Sequence, residues 1–133
     1  MRHTLPVCIQ REQIVATVLL GTVAGLWMEN SLGENCAEYL RAADEVRQLV
    51  LADAFSAALQ EQAYLHARWQ GEVGKLQALV SHHHTRAVEE SLLTLSTSLE
   101  EGWRREALLS LDALSEALRD LEADMRLGWA NVL

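Results

Sequence analysis

A single proline, Pro6, leaves residues 7–133 without an obligatory helix breaker. Cysteine is as scarce: Cys8 and Cys36 form no CxxC pair, which excludes a disulfide framework and leaves thiol–disulfide exchange unsupported. Free thiols in a reducing compartment are the expectation, and with them an intracellular, cytoplasmic location. Positive charge is scarce too, with 11 Lys+Arg against 19 Asp+Glu and a formal charge of -8. Residues 1–33 are neutral, 34–80 carry -3 and 81–133 carry -5, so no block is basic. That excludes the positive field on which nucleic-acid binding depends, and disfavours anionic membrane surfaces.

Long apolar runs are missing as well. The longest uncharged stretch considered, Ile14–Met28 (IVATVLLGTVAGLWM), would be about 22 Å long as a helix, short of the roughly 20 residues needed to cross a bilayer. Its flanks are poor for a secretory signal, because Glu12 offsets Arg2 and Arg11 and no small-residue cleavage site follows. A buried core helix is the expected reading, with Gly21 and Gly25 marking close packing; targeting or membrane insertion is the alternative. No stretch bounded by turn dipeptides alternates apolar and polar residues over six positions, which removes the β pattern.

Site chemistry is thin. There is no Gly-x-Ser-x-Gly, and Gly21/Gly25 and Gly71/Gly74 have neither the spacing nor a preceding strand for a phosphate or dinucleotide loop. His66 has Gln62 and Gln70 four residues either side, and the Glu-x-x-His of di-iron bundles does not occur. His66-Ala67-Arg68-Trp69 is a poor phosphorelay site, since a bulky Trp stands where a response regulator would need small residues. The carboxylate pairs Asp44-Glu45, Glu89-Glu90 and Glu100-Glu101 fall on solvated helix faces, without the burial that acid–base catalysis requires. An enzyme is not expected, nor a cofactor.

What is present is half hydrophobic residues and an excess of Ala, Leu, Glu, Gln and Arg, all strong helix formers. The expected fold is all-α: an up-and-down helical bundle of one domain, with long antiparallel amphipathic helices. A first helix over about 10–29 is apolar nearly all round and therefore central. Ser31 and Glu34 have capping-box spacing, so a second helix starts there. It carries Leu40, Ala43, Val46, Leu49 and Val50, then Leu65, Trp69, Val73, Leu76 and Val80, with no strong breaker before Gly71 and Gly74. Ser81–Thr85, with its three histidines, reads as a connection. Val88, Leu92, Leu95 and Leu99 form a further stripe, and Thr97/Glu100 and Ser98/Glu101 admit a helix start near 98.

The C-terminal pattern is the clearest: Leu111, Leu114, Leu118, Leu121 and Met125 repeat at three and four residues, as in a heptad seam. Two arms of about 45 residues, each about 65 Å long, would outreach a first helix of about 30 Å and leave apolar surface uncovered. Oligomerisation or a protein partner follows from that mismatch.

Partner contacts are expected at Trp103, beside Gly102 and Arg104-Arg105, at Trp129 near the C-terminus, and on the seam at Leu111, Leu118 and Met125; Trp27 and Trp69 are expected in the core. Tyr39–Val46 (YLRAADEV) resembles the small–Asp–acidic core of a death-domain ligand helix, though Tyr39 stands at its leucine position and Asn35 at its first anchor. An ordinary amphipathic stretch accounts for those eight residues. The expected function is therefore a non-enzymatic protein–protein interaction module, an adaptor, chaperone or assembly subunit. The alternative is a metal- or cofactor-binding four-helix bundle using His66 and His82, His83 and His84, provided the three adjacent histidines lie in a loop: on a helix they would point about 100° apart.

Overall fold

The computed structural model describes residues 35–77 and 80–132, the last five of them by backbone alone. The readings placed on residues 1–34, including the apolar helix, Cys8, Trp27 and the Ser31/Glu34 cap, lie outside the described residues. Four helices and no strand make up what is described: α1 over 35–51, α2 Phe55–Leu76, α3 His82–Glu101 and α4 Arg104–Val132. Short turns reverse the chain each time, so the four run up, down, up and down.

Each helix buries one stripe. α1 turns in Cys36, Tyr39, Ala43, Val46 and Val50; α2 turns in Ala58, Gln62, Leu65, Trp69 and Leu76. α3 contributes Thr85, Val88, Leu92, Leu95 and Leu99, and α4 contributes Ala107, Leu111, Leu114, Leu118, Leu121 and Met125. Spacings of three and four keep each set on one face of its helix. The apolar members form one continuous core, with Trp69 the largest fully buried side chain. Polar side-chain contacts show which helices adjoin: the Arg68–Glu38 ion pair ties α2 to α1, His66–Glu89 ties α2 to α3, His84–Asp124 ties α3 to α4, and the Arg47–Asp112 ion pair closes the ring between α1 and α4.

The expected long arms are each two helices. The first breaks at 52–54, where Asp53 adopts a left-handed φ of 60°. Its N–H bonds to the Val50 carbonyl (3.0 Å) and the Ala54 N–H to that of Leu49 (2.8 Å). The second breaks at Gly102 (φ 70°), where the Gly102 N–H bonds to Leu99 O (3.3 Å) and the Trp103 N–H to Ser98 O (2.8 Å). Both ends are Schellman motifs at the same end of the bundle, differing only in which residue takes the left-handed position. Arg104 joins them, donating to Asp53 Oδ1 at 3.1 Å and to the Leu51 carbonyl at 3.4 Å.

With the arms broken, α2, α3 and α4 are about 33, 30 and 43 Å long. No described helix therefore reaches the length of about 65 Å expected of an unbroken arm, and α4 is the longest of the four. The Ser81–Thr85 segment is likewise not the connection: His82, His83 and His84 form the first turn of α3, and the reversal lies just before them. Asp124 stands at that helix start, within 3.4 Å of the Ser81 N–H and 3.8 Å of His84 Nε2, where a negative charge complements the helix dipole.

Gly71 and Gly74 do not break α2, which runs through both with open space where a Cβ would stand. Gly71→Ala and Gly74→Ala should each stabilise the fold, by about 0.5–1 kcal/mol. Gly102→Ala should cost about 1 kcal/mol, because its left-handed φ strains any residue with a Cβ. Chemical denaturation of the three variants reads the signs directly; a loss at Gly71 or Gly74 would show that those positions carry more than helix propensity.

Candidate interaction surface

The residues expected to meet a partner fall into three groups. Leu111, Leu118 and Met125 are 0%, 1% and 4% exposed. Their seam is filled by the chain's own helices, so in this fold they are core and not contact surface. Trp103 is 50% exposed and follows Gly102 at the bundle end where the two Schellman turns meet. Leu51, also exposed, ends α1 at the same place, and the Arg104 bonds hold the two turns side by side. The backbone of Trp129 continues α4; its side chain lies outside the described residues. Trp69 is fully buried, as expected of a core tryptophan.

Among the described histidines, His66 lies apart from His82, His83 and His84, of which the last two meet edge to face, ring centroids 5.6 Å apart. His66 is half-buried, and its Nε2 lies 2.8 Å from Glu89 Oε1 on α3, a partner that its own helix does not supply. His82 and His83 are exposed at the start of α3, and His84 turns towards Asp124. Among the described residues no group of three His, Cys, Asp or Glu side chains is placed to hold a metal ion. No helix of the described residues is long and apolar enough to cross a membrane. Tyr39, Ala43 and Val46, from the stretch resembling a ligand helix, face this chain's own core.

A polar cluster between α1 and α2 escaped sequence reasoning. Tyr39 donates its hydroxyl to Glu72 Oε2 at 2.5 Å and meets Trp69 edge to face, centroids 6.0 Å apart. The Arg68 guanidinium lies 5.4 Å from the centre of the Tyr39 ring and pairs with Glu38 and Glu72. Such cation–aromatic and ring–ring contacts each contribute on the order of 1 kcal/mol. The Trp69 indole N–H, buried beside them, has no hydrogen-bond partner among the described residues. Only the i,i+4 spacing of Arg68 and Glu72 was visible in the sequence, with nothing to tie it to Tyr39 thirty residues earlier.

Cys36 is buried on the same face of α1 as Tyr39. Burial, seconded by the charges of Glu122 and Glu72, pushes its pKa from 9.0 up to about 12. Burial and the bond to Glu72 raise the Tyr39 hydroxyl in the same direction. Cys36 is thus a packed, unreactive thiol.

Three grooves run between neighbouring helices. The α2/α3 groove, about 610 Å³, is lined by Gln70, Val73, His82, Arg86 and Glu89 among others. The α1/α4 groove, about 430 Å³, holds Arg47, Asp112, Glu116 and Arg119. The α3/α4 groove, about 460 Å³, is different in kind: Ala87, Ser91, Thr94, Ser110, Ala113 and Ala117 line it, with Leu109 at one end. None of the three is an enclosed pocket with converging catalytic groups.

Comparison with protein-family models, curated proteins and solved structures finds no match for this chain. What it does must therefore be argued from its own surface.

Because the folded chain holds Cys36 and Tyr39 protonated where the unfolded chain ionises, the fold binds more protons above pH 9. Stability should be intact below that value and fall as pH rises from 9 towards 12. Cys36→Ala should flatten this alkaline decline, read as denaturation midpoint against pH. An unchanged slope would show that the thiol ionises freely in the folded state.

Proposed function

We propose that this chain is a non-enzymatic protein–protein interaction module, an adaptor, chaperone or subunit of a larger assembly. The observation that carries the reading is the half-exposed Trp103, at the same end of the bundle as exposed Leu51, where Arg104 braces the two turns. Tryptophan leads the residues that anchor protein interfaces, because one side chain offers a large apolar area and an N–H at little entropic cost. Here the ring stays in water although the core of the same domain has room for another, Trp69. Exposed Leu93, Leu109, Tyr64 and Leu127 add further apolar surface on the helices.

Two considerations support binding over chemistry. His66 stands apart from the 82–84 histidines, and of the carboxylates expected on solvated faces Asp44, Glu45, Glu90, Glu100 and Glu101 are exposed, whereas Glu89 is partly buried against His66. An acidic chain also repels copies of itself at long range, which favours a partner of opposite charge over a second copy.

Trp103→Ala and Leu118→Ala separate contact from core. Leu118→Ala should cost about 2–5 kcal/mol of folding stability by leaving a cavity. Trp103→Ala should leave folding within about 0.5 kcal/mol, as surface substitutions do. It should weaken partner binding about thirtyfold, the scale of an interface anchor. The check is quantitative affinity capture with wild-type and Trp103→Ala baits at equal concentration, followed by binding curves with the purified partner. Identical captured sets and identical curves would remove Trp103 as the anchor; a chain that turned over a substrate or held a stoichiometric metal would remove the reading itself.

A further inference from the structure

The α3/α4 groove combines three properties that its two neighbours lack. Its floor is small: Ala87, Ser91 and Thr94 on α3 and Ser110, Ala113 and Ala117 on α4 leave a channel into which another backbone can come close. The floor asks for no polar partner, because its hydroxyls are already spent on their own helices. Ser91 donates to the Ala87 carbonyl (2.8 Å), Thr94 to Glu90 (2.9 Å) and Ser110 to Glu106 (2.8 Å). An apolar stripe can settle there without stranding a buried donor.

The third property is charge. The groove is rimmed by Glu90, Glu116 and Asp120 and no Lys or Arg lines it. None of the three carboxylates makes an ion pair with a described residue. Glu116 and Asp120 are a like-charge i,i+4 pair, an arrangement that costs the free helix a few tenths of a kcal/mol. The flanking grooves do hold cations: Arg47 and Arg119 stand in the α1/α4 groove and Arg86 in the α2/α3 groove. Glu116 and Glu90 also border those grooves, and neither pairs with the arginines there.

We infer that the α3/α4 groove is the docking site for a basic amphipathic helix of a partner protein, seated by its apolar stripe on the small-residue floor with Lys or Arg on both flanks against Glu90, Glu116 and Asp120. The proposal rests on the interaction-module reading and deepens it by naming the partner's chemistry. The groove extends from Asp120 to Leu109 along α4, about 16 Å, which matches about three turns of a bound helix. Exposed Leu109 closes one end and gives the stripe an apolar stop. A second copy of this chain is a poor occupant, since its α3 and α4 would bring carboxylates to carboxylates.

The test uses the full chain and an 18-residue, end-capped helical peptide with an Ala/Leu stripe and Lys and Arg on its flanks. A twin with Glu at the same flank positions is the control. Binding is read by calorimetry at low and high salt. The cationic peptide should bind at least tenfold tighter than its twin and weaken about tenfold from 0.05 to 0.5 M salt. The triple variant Glu90→Gln, Glu116→Gln, Asp120→Asn should lose at least tenfold, and Ala113→Trp, which fills the exposed channel, should lose as much. A matched triple variant outside the groove, Glu45→Gln, Glu61→Gln, Glu100→Gln, should lose less than threefold.

Equal loss in the two triple variants would mean attraction to net charge alone and would overturn the groove, as would tight binding that survives Ala113→Trp. The interaction-module reading fails separately. If a natural partner is captured through Trp103 while neither peptide binds, the reading stands and the groove proposal falls. If the cationic peptide binds at the groove and Trp103→Ala changes nothing, the groove stands on its own.

Discussion

The stripe that α4 presents from Ala107 to Met125 is the surface on which the rest of the molecule depends. α4 is the longest described helix, and its buried residues share one core with those of the other three. Four of them are leucines with almost no exposure, each contributing roughly 1.5–3 kcal/mol by its removal from water. Because the stripe repeats every three and four residues, a facing helix gains full cover only if its own stripe repeats the same way. α1 and α3 satisfy this with Val, Ala, Tyr and Leu, and α2 with Gln62 among its apolar residues. Gln62 is accommodated by donating its Nε2–H to the Leu92 carbonyl at 2.9 Å, which pins α2 against α3 at one register.

Once the core is closed in this way, polar groups are free to define which helix neighbours which. The cross-helix pairs fall on the edges of the stripes: Arg68–Glu38, His66–Glu89, His84–Asp124 and Arg47–Asp112, one for each adjoining pair of helices. Taken singly, exposed pairs of this kind add little to stability. Their consequence is for topology, since a bundle of four similar amphipathic helices has alternative arrangements of comparable burial and needs charges to choose among them.

How much of this was legible follows from where the information sits. The α4 stripe stood out because leucine repeats without interruption and the intervening residues are charged. The turn at 52–54 did not, because Ala-Asp-Ala contains no conventional breaker and a short polar Asp takes the left-handed position that glycine fills at 102. A sign was there: continuing the stripe past Val50 would put Asp53 on the buried face. Near residue 98, where a helix start competed with continuity, the helix continues to Glu101, because Thr97 and Ser98 bond back to Leu93 and Thr94 instead of capping forward. The exposed, solitary character of Trp103 was legible from its glycine and arginine neighbours. The grooves were not, since each needs two helices brought together at known register.

The closed bundle also alters what a functional argument can rest on. Amphipathic stripes that look like sticky surface in the sequence are buried within the domain, so the heptad seam at Leu111, Leu118 and Met125 is core. What stands on the outside of the described residues includes an exposed tryptophan on braced turns, and carboxylates along one groove that make no ion pair with a described residue. Unpaired charge at a particular place is more informative than the total of -8, because the chain supplies arginines to the two grooves that flank this one and none to its lining. Charge arranged in that way governs encounter and selectivity more than it does affinity, so the tightness of any complex must come from apolar contact. The floor of small residues permits such contact by letting a partner's backbone approach, while leaving this chain almost nothing to reorganise when it arrives.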